Sequence, residues 1–315
     1  MQFYLAPLEG ITGYVYRNAY EKFFHNVERY YTPFLAPNKN QSFTAREQND
    51  VLPAHNMGMD VVPQILTNQG KHFIHTAKML EQLGYREVNL NLGCPSATVV
   101  SKKKGAGFLA APDALEHFLE EIFAETPVDI SVKTRIGVDR VEEFGEILDV
   151  FNQFPIKELI IHPRLQKELY GNKPDWSAFA QAVKMSRAPL CYNGDIFTVA
   201  DYERFCDEFP AIEKIMLGRG ILRNPGLVDE IRSRKDLDYF VLKQFHDEIL
   251  QGYRQAFSGD KPVLYKMREL WAYMLPLFYH GAEYKKKICK AERIRDYQIS
   301  VEALFQSELY VLSKK

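Results

Sequence analysis

A cysteine between a glycine and a proline is the residue of this sequence best placed to do chemistry. Cys94 lies in the segment NLNLGCPS, residues 89–96, which ends an apolar run. Gly93 permits a sharp turn, and Pro95 fixes φ and removes a backbone donor, so the thiol is held on a defined loop. Such a loop is typical of a reactive side chain. The alternative is a small buried hydrophobe, because free cysteine is among the most buried residue types.

Polar or turn-forming residues, with one leucine among them, end other strand-like segments in the same way. They are Pro7, Leu8 and Glu9 after the first segment, Gln64 in the third, Asn91 in the fourth, Lys133 and Arg135 at the end of the fifth, His162 and Arg164 at the end of the sixth, Asn193, Gly194 and Asp195 at the end of the seventh, and Gly218 and Arg219 directly after the eighth. Any one of them alone is explained as a solvated or hydrogen-bonded residue. Together they predict side chains that converge at one end of a barrel.

The elements that must position these residues alternate between short apolar runs and helical stretches. The predicted strands are 2–5, 27–31, 60–66, 87–92, 129–133, 158–162, 190–193 and 214–217, and helices are expected at 71–83, 112–124 and 141–154. Eight β-then-α units indicate an α/β fold of the (β/α)8 TIM-barrel class. In that fold, functional residues lie at the carboxyl ends of the strands.

Helical periodicity replaces the β pattern after residue 237. Leu242, Phe245, Ile249 and Tyr253 follow helical spacing, and two more helices are expected at 283–295 and 300–312. The aromatic stripe on these helices favours core packing over base stacking. We therefore expect a TIM-barrel catalytic domain at 1–237 and a small helical-bundle domain at 238–315.

Composition narrows the class of protein. With 46% hydrophobic and 26% charged residues, the 315-residue chain is ordinary for a globular protein with a large core. Neither a signal peptide nor a membrane span is expected, and the four cysteines lack zinc-ligand spacing, so we expect a cytoplasmic protein with no metal. The formal net charge of the chain is only −1. Residues 1–237 hold 27 basic and 31 acidic residues, whereas residues 238–315 hold 13 basic and 10 acidic residues, so the helical region is the basic part of the chain.

Glycine-rich turns at two strand ends are suited to a phosphate. The segment MLGRGILRNP offers backbone N–H groups that lead into a helix, and Arg219 adds a positive charge. The loop at Asn193, Gly194 and Asp195 supplies further amides, and barrel enzymes often bind phosphate with the loops after strands seven and eight. A phosphorylated cofactor is expected. No P-loop or Rossmann fingerprint is present.

Lys133 and His162 lie on neighbouring predicted strands and can both stabilise negative charge. A lysine beside a reduced flavin would tune its anionic ring, and Gln64 could hydrogen-bond the ring edge. A Schiff-base lysine, as in barrel aldolases, is the alternative. Lys133 alone does not decide between them.

Seven segments occur in one order along nearly the whole chain: APLEG (6–10), PQIL (63–66), NLNLGCPS (89–96), VKTRIG (132–137), IIHPR (160–164), YNGDI (192–196) and LGRG (217–220). With this set, the chain resembles the tRNA-dihydrouridine synthases, flavoenzymes that reduce uridine in tRNA. The resemblance implies a TIM barrel that binds FMN, followed by a helical domain that helps to bind tRNA, with NADPH or NADH as the reductant.

The resemblance also implies roles for individual residues. Cys94 would be the catalytic proton donor to C5 of uracil, after hydride transfer from flavin N5 to C6. The cofactor-binding residues would be Pro7, Leu8, Glu9, Gln64, Lys133, His162, Asn193, Gly194, Asp195, Gly218 and Arg219. Those that contact the target uracil would be Asn91, Arg135 and Tyr170. An ordinary thiol, with a pKa near ~8.5, is protonated at neutral pH and suits an acid.

Some features depart from the family or leave alternatives open. The family's glycine run after the cysteine is replaced by SKKKGAG, and many members have methionine where Leu8 stands. The clusters at 102–104 and 285–287 are either tRNA phosphate contacts or solvated faces. The rival functions are an FMN-dependent dihydropyrimidine or dihydroorotate type oxidoreductase that acts on a free base, and a non-catalytic RNA-binding barrel. No obligate protein partner is expected.

Overall fold

The computed structural model describes residues 1–38 and 42–312, the last four as backbone only. The chain divides into two compact units. The first comprises residues 1–7, 28–195 and 205–217, and the second comprises residues 8–27, 196–204 and 218 onward. Treating residues 238–315 as a separate tRNA-binding domain remains a prediction. No helix among the described residues has both the length and the apolar composition needed to cross a membrane.

A parallel β-sheet forms the centre of the first unit. Its nine strands within the described residues are β1 (Gln2–Leu5), β2 (Arg29–Tyr31), β3 (Val61–Val62), β4 (Gln64–Ile65), β5 (Glu87–Leu92), β6 (Asp129–Arg135), β7 (Leu159–His162), β8 (Leu190–Tyr192) and β9 (Lys214–Leu217). All of their pairings are parallel, and the strand order is β3-β2-β1-β9-β8-β7-β6-β5-β4.

A proline explains why nine strands form an eight-fold pattern. Pro63, which has no N–H to donate, separates β3 from β4, so β3 pairs with β2 while β4 pairs with β5. The two ends of the strand order are therefore halves of one predicted segment, and the sheet is a nearly closed barrel. The TIM-barrel prediction is confirmed.

Fourteen α-helices lie within the described residues and are numbered in chain order. They are α1 (Tyr14–Phe23), α2 (Ala45–Val51), α3 (Gly70–Gln82), α4 (Ala97–Val100), α5 (Pro112–Glu125), α6 (Glu143–Phe151), α7 (Trp176–Met185), α8 (Val199–Glu208), α9 (Arg219–Arg223), α10 (Leu227–Ser233), α11 (Tyr239–Ala256), α12 (Asp260–Met274), α13 (Gly281–Lys290) and α14 (Ile294–Leu312). The helices expected at 71–83 and 112–124 match α3 and α5 to within one residue. The helix expected at 141–154 is shorter, since α6 ends at Phe151.

Burial of both sheet faces accounts for the apolar strands. All six residues of β5 and all four of β7 are buried, as expected where helices cover a parallel sheet. Polar residues nevertheless lie at buried positions of the sheet, among them Asn89 and Asn91 of β5 and Ser131 of β6. Because burial of an unpaired amide is costly, such residues must find hydrogen-bond partners inside the barrel.

The second unit has its own aromatic core. Phe245 of α11 packs edge-on against Tyr16 of α1, with ring centroids 5.5 Å apart. Trp271 of α12 is fully buried and donates a hydrogen bond of 2.7 Å to the hydroxyl of Tyr297 on α14. The expectation that the aromatic stripe of these helices is core packing is therefore confirmed.

Candidate active site

The loop after β5 holds Cys94 by its backbone. The side-chain oxygen of Asn91 accepts hydrogen bonds from the N–H groups of Gly93 at 3.1 Å and Cys94 at 2.9 Å. The Cys94 carbonyl accepts a third bond, 3.0 Å long, from the N–H of Ala106. Cys94 is only partly buried, unlike the fully buried Cys191. The thiol is therefore fixed in position and still accessible.

The unusual SKKKGAG segment folds back onto the cysteine. Lys103 and Gly105 both have positive φ, 52° and 55°. A Cβ atom at Gly105 would lie 2.8 Å from the carbonyl oxygen of Cys94 and 3.0 Å from its Cβ. The amide of Asn68 clamps the turn by donating bonds of 3.1 Å to the carbonyls of Lys102 and Lys103. Glycine at 105 is thus required for the loop to approach Cys94 so closely.

The electrostatics of the loop favour a protonated thiol. Burial raises the pKa of Cys94, although a hydrogen bond from the Ser96 backbone and the charges of Lys133 and Arg135 act in the opposite direction. A thiol with a raised pKa carries its proton at neutral pH. Cys94 is therefore equipped to donate a proton rather than to attack as a thiolate.

Lys133 lies on β6, directly opposite Asn91 in the strand register. Burial lowers its pKa to about 8, and the nearby charge of Arg135 adds to that effect. Among the described residues, its ammonium group has no hydrogen bond or ion pair with another group of the chain. The first unit therefore presents an uncommitted cation near the cysteine.

His162 ends β7 as a neutral ring. Its Nε2 accepts a bond of 3.2 Å from Arg164, so Nδ1 must carry the proton and donate it to the carbonyl of Asn193. Burial, followed by the charges of Lys133 and Arg135, holds the pKa of His162 well below its usual value. Arg164 in turn forms a bidentate ion pair with the Asp195 carboxylate. His162 is thus a fixed donor–acceptor group, not a cation.

Arg135 connects the cysteine loop to the segment after β7. Its guanidinium donates to the carbonyls of Gly93 at 3.1 Å, Leu165 at 2.8 Å and Leu169 at 2.8 Å, and only 1% of the residue is exposed. It also lies over the ring of Tyr170, 5.4 Å from the centroid. Tyr170 itself is 51% exposed, so its ring offers an accessible surface supported by a buried arginine.

Three further predicted residues lie at the ends of their strands. Asn193, directly after β8, donates a bond of 2.8 Å to the carbonyl of Met216. Gly194 cannot be replaced without rearrangement, because its Cβ would lie 1.9 Å from the Tyr192 hydroxyl. Pro7 follows β1 and is partly buried. Strand ends of the first unit thus bring together Gln64, Asn91, Cys94, Lys133, Arg135, His162, Asn193, Gly194 and Asp195, and Tyr170 joins them through Arg135 and His162.

The family model for dihydrouridine synthases (Dus) matches residues 4–308. The chain belongs to the dihydrouridine synthase family. Among its relatives are the tRNA-dihydrouridine(16) synthase of Pseudomonas putida, 28% identical with 78% of each chain covered, and a probable tRNA-dihydrouridine synthase of Staphylococcus aureus, 28% identical with 80% of this chain and 78% of the relative covered. The resemblance seen in the sequence is confirmed.

Solved structures confirm the fold of this synthase family member. Histamine dehydrogenase from Rhizobium sp. 4-9 superposes with a TM-score of 0.55 at 10% identity, covering 80% of this chain and 48% of that one. The old yellow enzyme homologue from Zymomonas mobilis gives 0.52 at 11% identity, covering 75% and 90%. At these identities, the likeness concerns the barrel fold alone.

Four residues predicted to bind the synthase cofactor belong to the second unit. The N–H of Leu8 donates a bond of 2.8 Å to Thr12, and Glu9 follows it in the chain. Gly218 directly precedes α9, and the Arg219 guanidinium lies 5.5 Å from the centre of the Phe197 ring. Their cofactor contacts remain predictions.

The contacts of three residues of the first unit are not predicted by the sequence. The IIHPR motif includes Arg164, but it does not reveal the hydrogen bond to His162 or the ion pair with Asp195. Asn89 and Ser131 carry amide and hydroxyl groups at fully buried positions of β5 and β6. The signal was present, since a polar residue within an apolar strand indicates a hydrogen-bond partner across the sheet.

Proposed function

We propose that this protein is a tRNA-dihydrouridine synthase that reduces the C5=C6 bond of a uridine in tRNA, with FMN as cofactor and NADPH or NADH as reductant. The observation that carries the proposal is the Cys94 loop. A thiol with a raised pKa, partly exposed and near an uncommitted lysine, suits protonation of the carbon anion that hydride addition leaves on the base.

The side chains of the first unit fit a flavin. Lys133 offers a positive charge with no hydrogen-bond or ion-pair partner in the part of the chain that the structure describes, as a site for an anionic ring requires. Gln64 is 1% exposed and donates one amide proton to Asn89, which leaves its second amide proton for a ligand. We propose that Lys133 and Gln64 contact the flavin ring of FMN, and that His162, Asn193, Gly194 and Asp195 surround the cofactor. When bound and reduced, FMN supplies the hydride for C6 of uracil.

Cys94 then completes the reaction at C5. Addition of hydride at C6 leaves enolate character between C5 and the C4 carbonyl, and the S–H of Cys94 gives its proton to C5. The S–H bond breaks, a C–H bond forms, and the thiolate is reprotonated by solvent. Because burial raises the thiol pKa, the proton is present at neutral pH when it is needed.

Arg135 and Tyr170 would act on the target base. The exposed ring of Tyr170 provides a surface for the uracil, and the buried guanidinium beneath it can offset negative charge that develops on a carbonyl. Asn91 would contact the base through the remaining proton of its amide, since the oxygen is bound to the cysteine loop. The base must leave its stack to reach these groups, as for other enzymes that modify bases.

RNA is favoured over a free base by family membership and by local charge. The relatives described above are named for tRNA. Lys102 and Lys103, in the loop after Cys94, are exposed and can approach phosphate groups. We accordingly place the reaction in the cytoplasm, on tRNA. Three of the relatives are named for position 16, so mapping of the target begins there.

Reconstitution tests the proposal. Purified protein is loaded with FMN and incubated with NADPH or NADH and tRNA that lacks dihydrouridine, and the nucleosides are mapped by mass spectrometry. We expect a gain of two mass units at one uridine. Turnover of free uracil or dihydroorotate without turnover of tRNA would favour the free-base oxidoreductase. A colourless protein that takes up no FMN would contradict a flavoenzyme altogether.

A further inference from the structure

A continuous chain of side-chain hydrogen bonds runs from the cysteine loop across three neighbouring strands. It joins Asn91 of β5, Gln64 of β4, Asn89 of β5 and Ser131 of β6, and we call these four residues the amide chain. The first three residues are at most 7% exposed, and Ser131 is fully buried. The strand register explains the contacts, because Gln64 pairs with Asn89 and Asn89 pairs with Ser131.

The direction of every bond in the amide chain follows from its first member. Two backbone N–H groups point at Asn91, so its oxygen faces the loop and its nitrogen must donate, at 2.7 Å, to the Gln64 oxygen. The Gln64 nitrogen therefore donates, at 2.7 Å, to the oxygen of Asn89. The Asn89 nitrogen then donates, at 3.0 Å, to the Ser131 hydroxyl. Reversal of any one amide would place two donors or two acceptors against each other.

We propose that Asn89 and Ser131 are positioning residues of the synthase: acting through Gln64 and Asn91, they fix the Cys94 loop and orient the Gln64 amide. This inference rests on the proposed function for its catalytic meaning. The structural part of the inference, that the amide chain fixes the Cys94 loop, does not depend on the proposed function, because the amide chain lies within the barrel itself. Buried networks of this kind act as a unit, since loss of one member leaves its neighbours unpaired.

The test compares two hydroxyl deletions on one strand. Ser131→Ala removes the last acceptor of the amide chain. Thr134→Val also removes a buried hydroxyl from β6, but within residues 1–38 and 42–312 that hydroxyl bonds only to the adjacent Arg135 carbonyl, at 2.8 Å. Alkylation of Cys94 by iodoacetamide in the full-length purified protein is followed by mass spectrometry of its peptide. The peptides of Cys206 and Cys289, both partly exposed, report any general loosening.

We expect Ser131→Ala to raise the alkylation rate of Cys94 at pH 7 by about two- to tenfold, the range set by one lost hydrogen bond. The rates at Cys206 and Cys289 should not change, and Thr134→Val should match the wild type at all three cysteines. Equal Cys94 rates in Ser131→Ala and Thr134→Val would overturn the proposal, as would a parallel rise at all three cysteines.

A double-mutant cycle tests whether the residues act together. If Asn89 and Ser131 belong to one unit, Ser131→Ala should add less than about twofold to the effect of Asn89→Ala. Effects that multiply in full would contradict the coupling. If Asn89→Ala does not fold, the alkylation comparison of Ser131→Ala with Thr134→Val still tests the positioning role of Ser131.

The synthase reaction provides a separate readout. In Ser131→Ala, kcat for uridine reduction should fall by about two- to tenfold while KM for tRNA stays unchanged, because the thiol and not the tRNA surface is displaced. Inactivity of the wild type towards uridine would defeat the proposed function and leave the alkylation result intact. An altered KM with unchanged kcat would overturn the positioning role.

Discussion

Cys94 is the residue on which the proposed reaction depends most directly. Cys94→Ala should retain FMN and lower uridine reduction by about 100-fold or more, because it removes the acid and leaves the hydride donor in place. The measurement combines flavin absorbance with kcat on tRNA. Cys206→Ala, a change at a partly exposed cysteine of α8, is the matched control. Equal activity of the Cys94 variant and this control would exclude Cys94 as the proton donor.

For Lys133, the prediction concerns the stability of the folded protein and not the rate of the reaction. The pKa of Lys133 is lowered to about 8 in the folded protein, whereas an ordinary lysine has a pKa of about 10.4. Between these two pH values, the unfolded chain therefore binds more protons than the folded protein does. By linkage, the stability of the folded protein rises with pH across this window. Below pH 8, the cost of the buried charge is fully present.

Lys133→Met should therefore stabilise the FMN-free protein at pH 7 by on the order of 2 to 3 kcal/mol, because it removes that cost. The advantage of the variant over the wild type should shrink as the pH rises from 8 to about 10. Urea unfolding at several pH values measures the difference in the free energy of unfolding between Lys133→Met and the wild type. Lys78→Met, at an exposed lysine of α3, is the matched control. A constant difference between wild type and Lys133→Met would show that the lysine is not desolvated.

Elements were more predictable than the contacts between them. The strand predicted at 87–92 has those bounds in the structure, because buried parallel strands and their glycine or proline boundaries are local signals. The pattern of residues 60–66 predicts one strand and does not reveal the break at Pro63. The hydrogen bonds of Asn89 and Ser131 are not predictable for another reason: they depend on strand register, which sequence spacing does not fix.

The loop after β5 shows the same limit and provides an element-scale prediction. The sequence shows that the SKKKGAG segment is unusual, but the return of this segment to Cys94 depends on positive φ at Gly105. Gly105→Ala should lose stability through strain of roughly 1 to 2 kcal/mol and should also displace Cys94, since the new Cβ would lie 2.8 Å from the Cys94 carbonyl oxygen. Misplacement of a catalytic group should lower kcat by about tenfold or more.

Gly84→Ala is the control for Gly105→Ala. Gly84 also has positive φ, 96°, but a Cβ there would meet nothing within 4 Å. Urea unfolding should show a loss of stability in both variants, whereas only Gly105→Ala should lose uridine reduction. Comparable loss of activity in both would mean that general destabilisation, and not the position of Cys94, accounts for the effect.

At the scale of the whole molecule, the near-zero net charge means that attraction to tRNA must come from local clusters. The formal net charge is −1, so the protein has no strong overall attraction for a polyanion. Lys102 and Lys103 are exposed, and Asn68 fixes the backbone that carries them. An ordered pair of cations loses less freedom on binding phosphate than a mobile pair would.

Removal of both charges should therefore reduce the salt dependence of tRNA binding. If each lysine contacts one phosphate, Lys102→Gln/Lys103→Gln should lower the slope of log K against log salt by about 1.5 to 2, with kcat at saturating tRNA unchanged. Binding from about 50 to 200 mM KCl measures the slope. Lys71→Gln/Lys78→Gln, on the exposed face of α3, removes equal charge elsewhere. Equal slopes for the two double variants would identify residues 102–103 as a solvated face, because only a phosphate contact makes the effect depend on position and not on net charge.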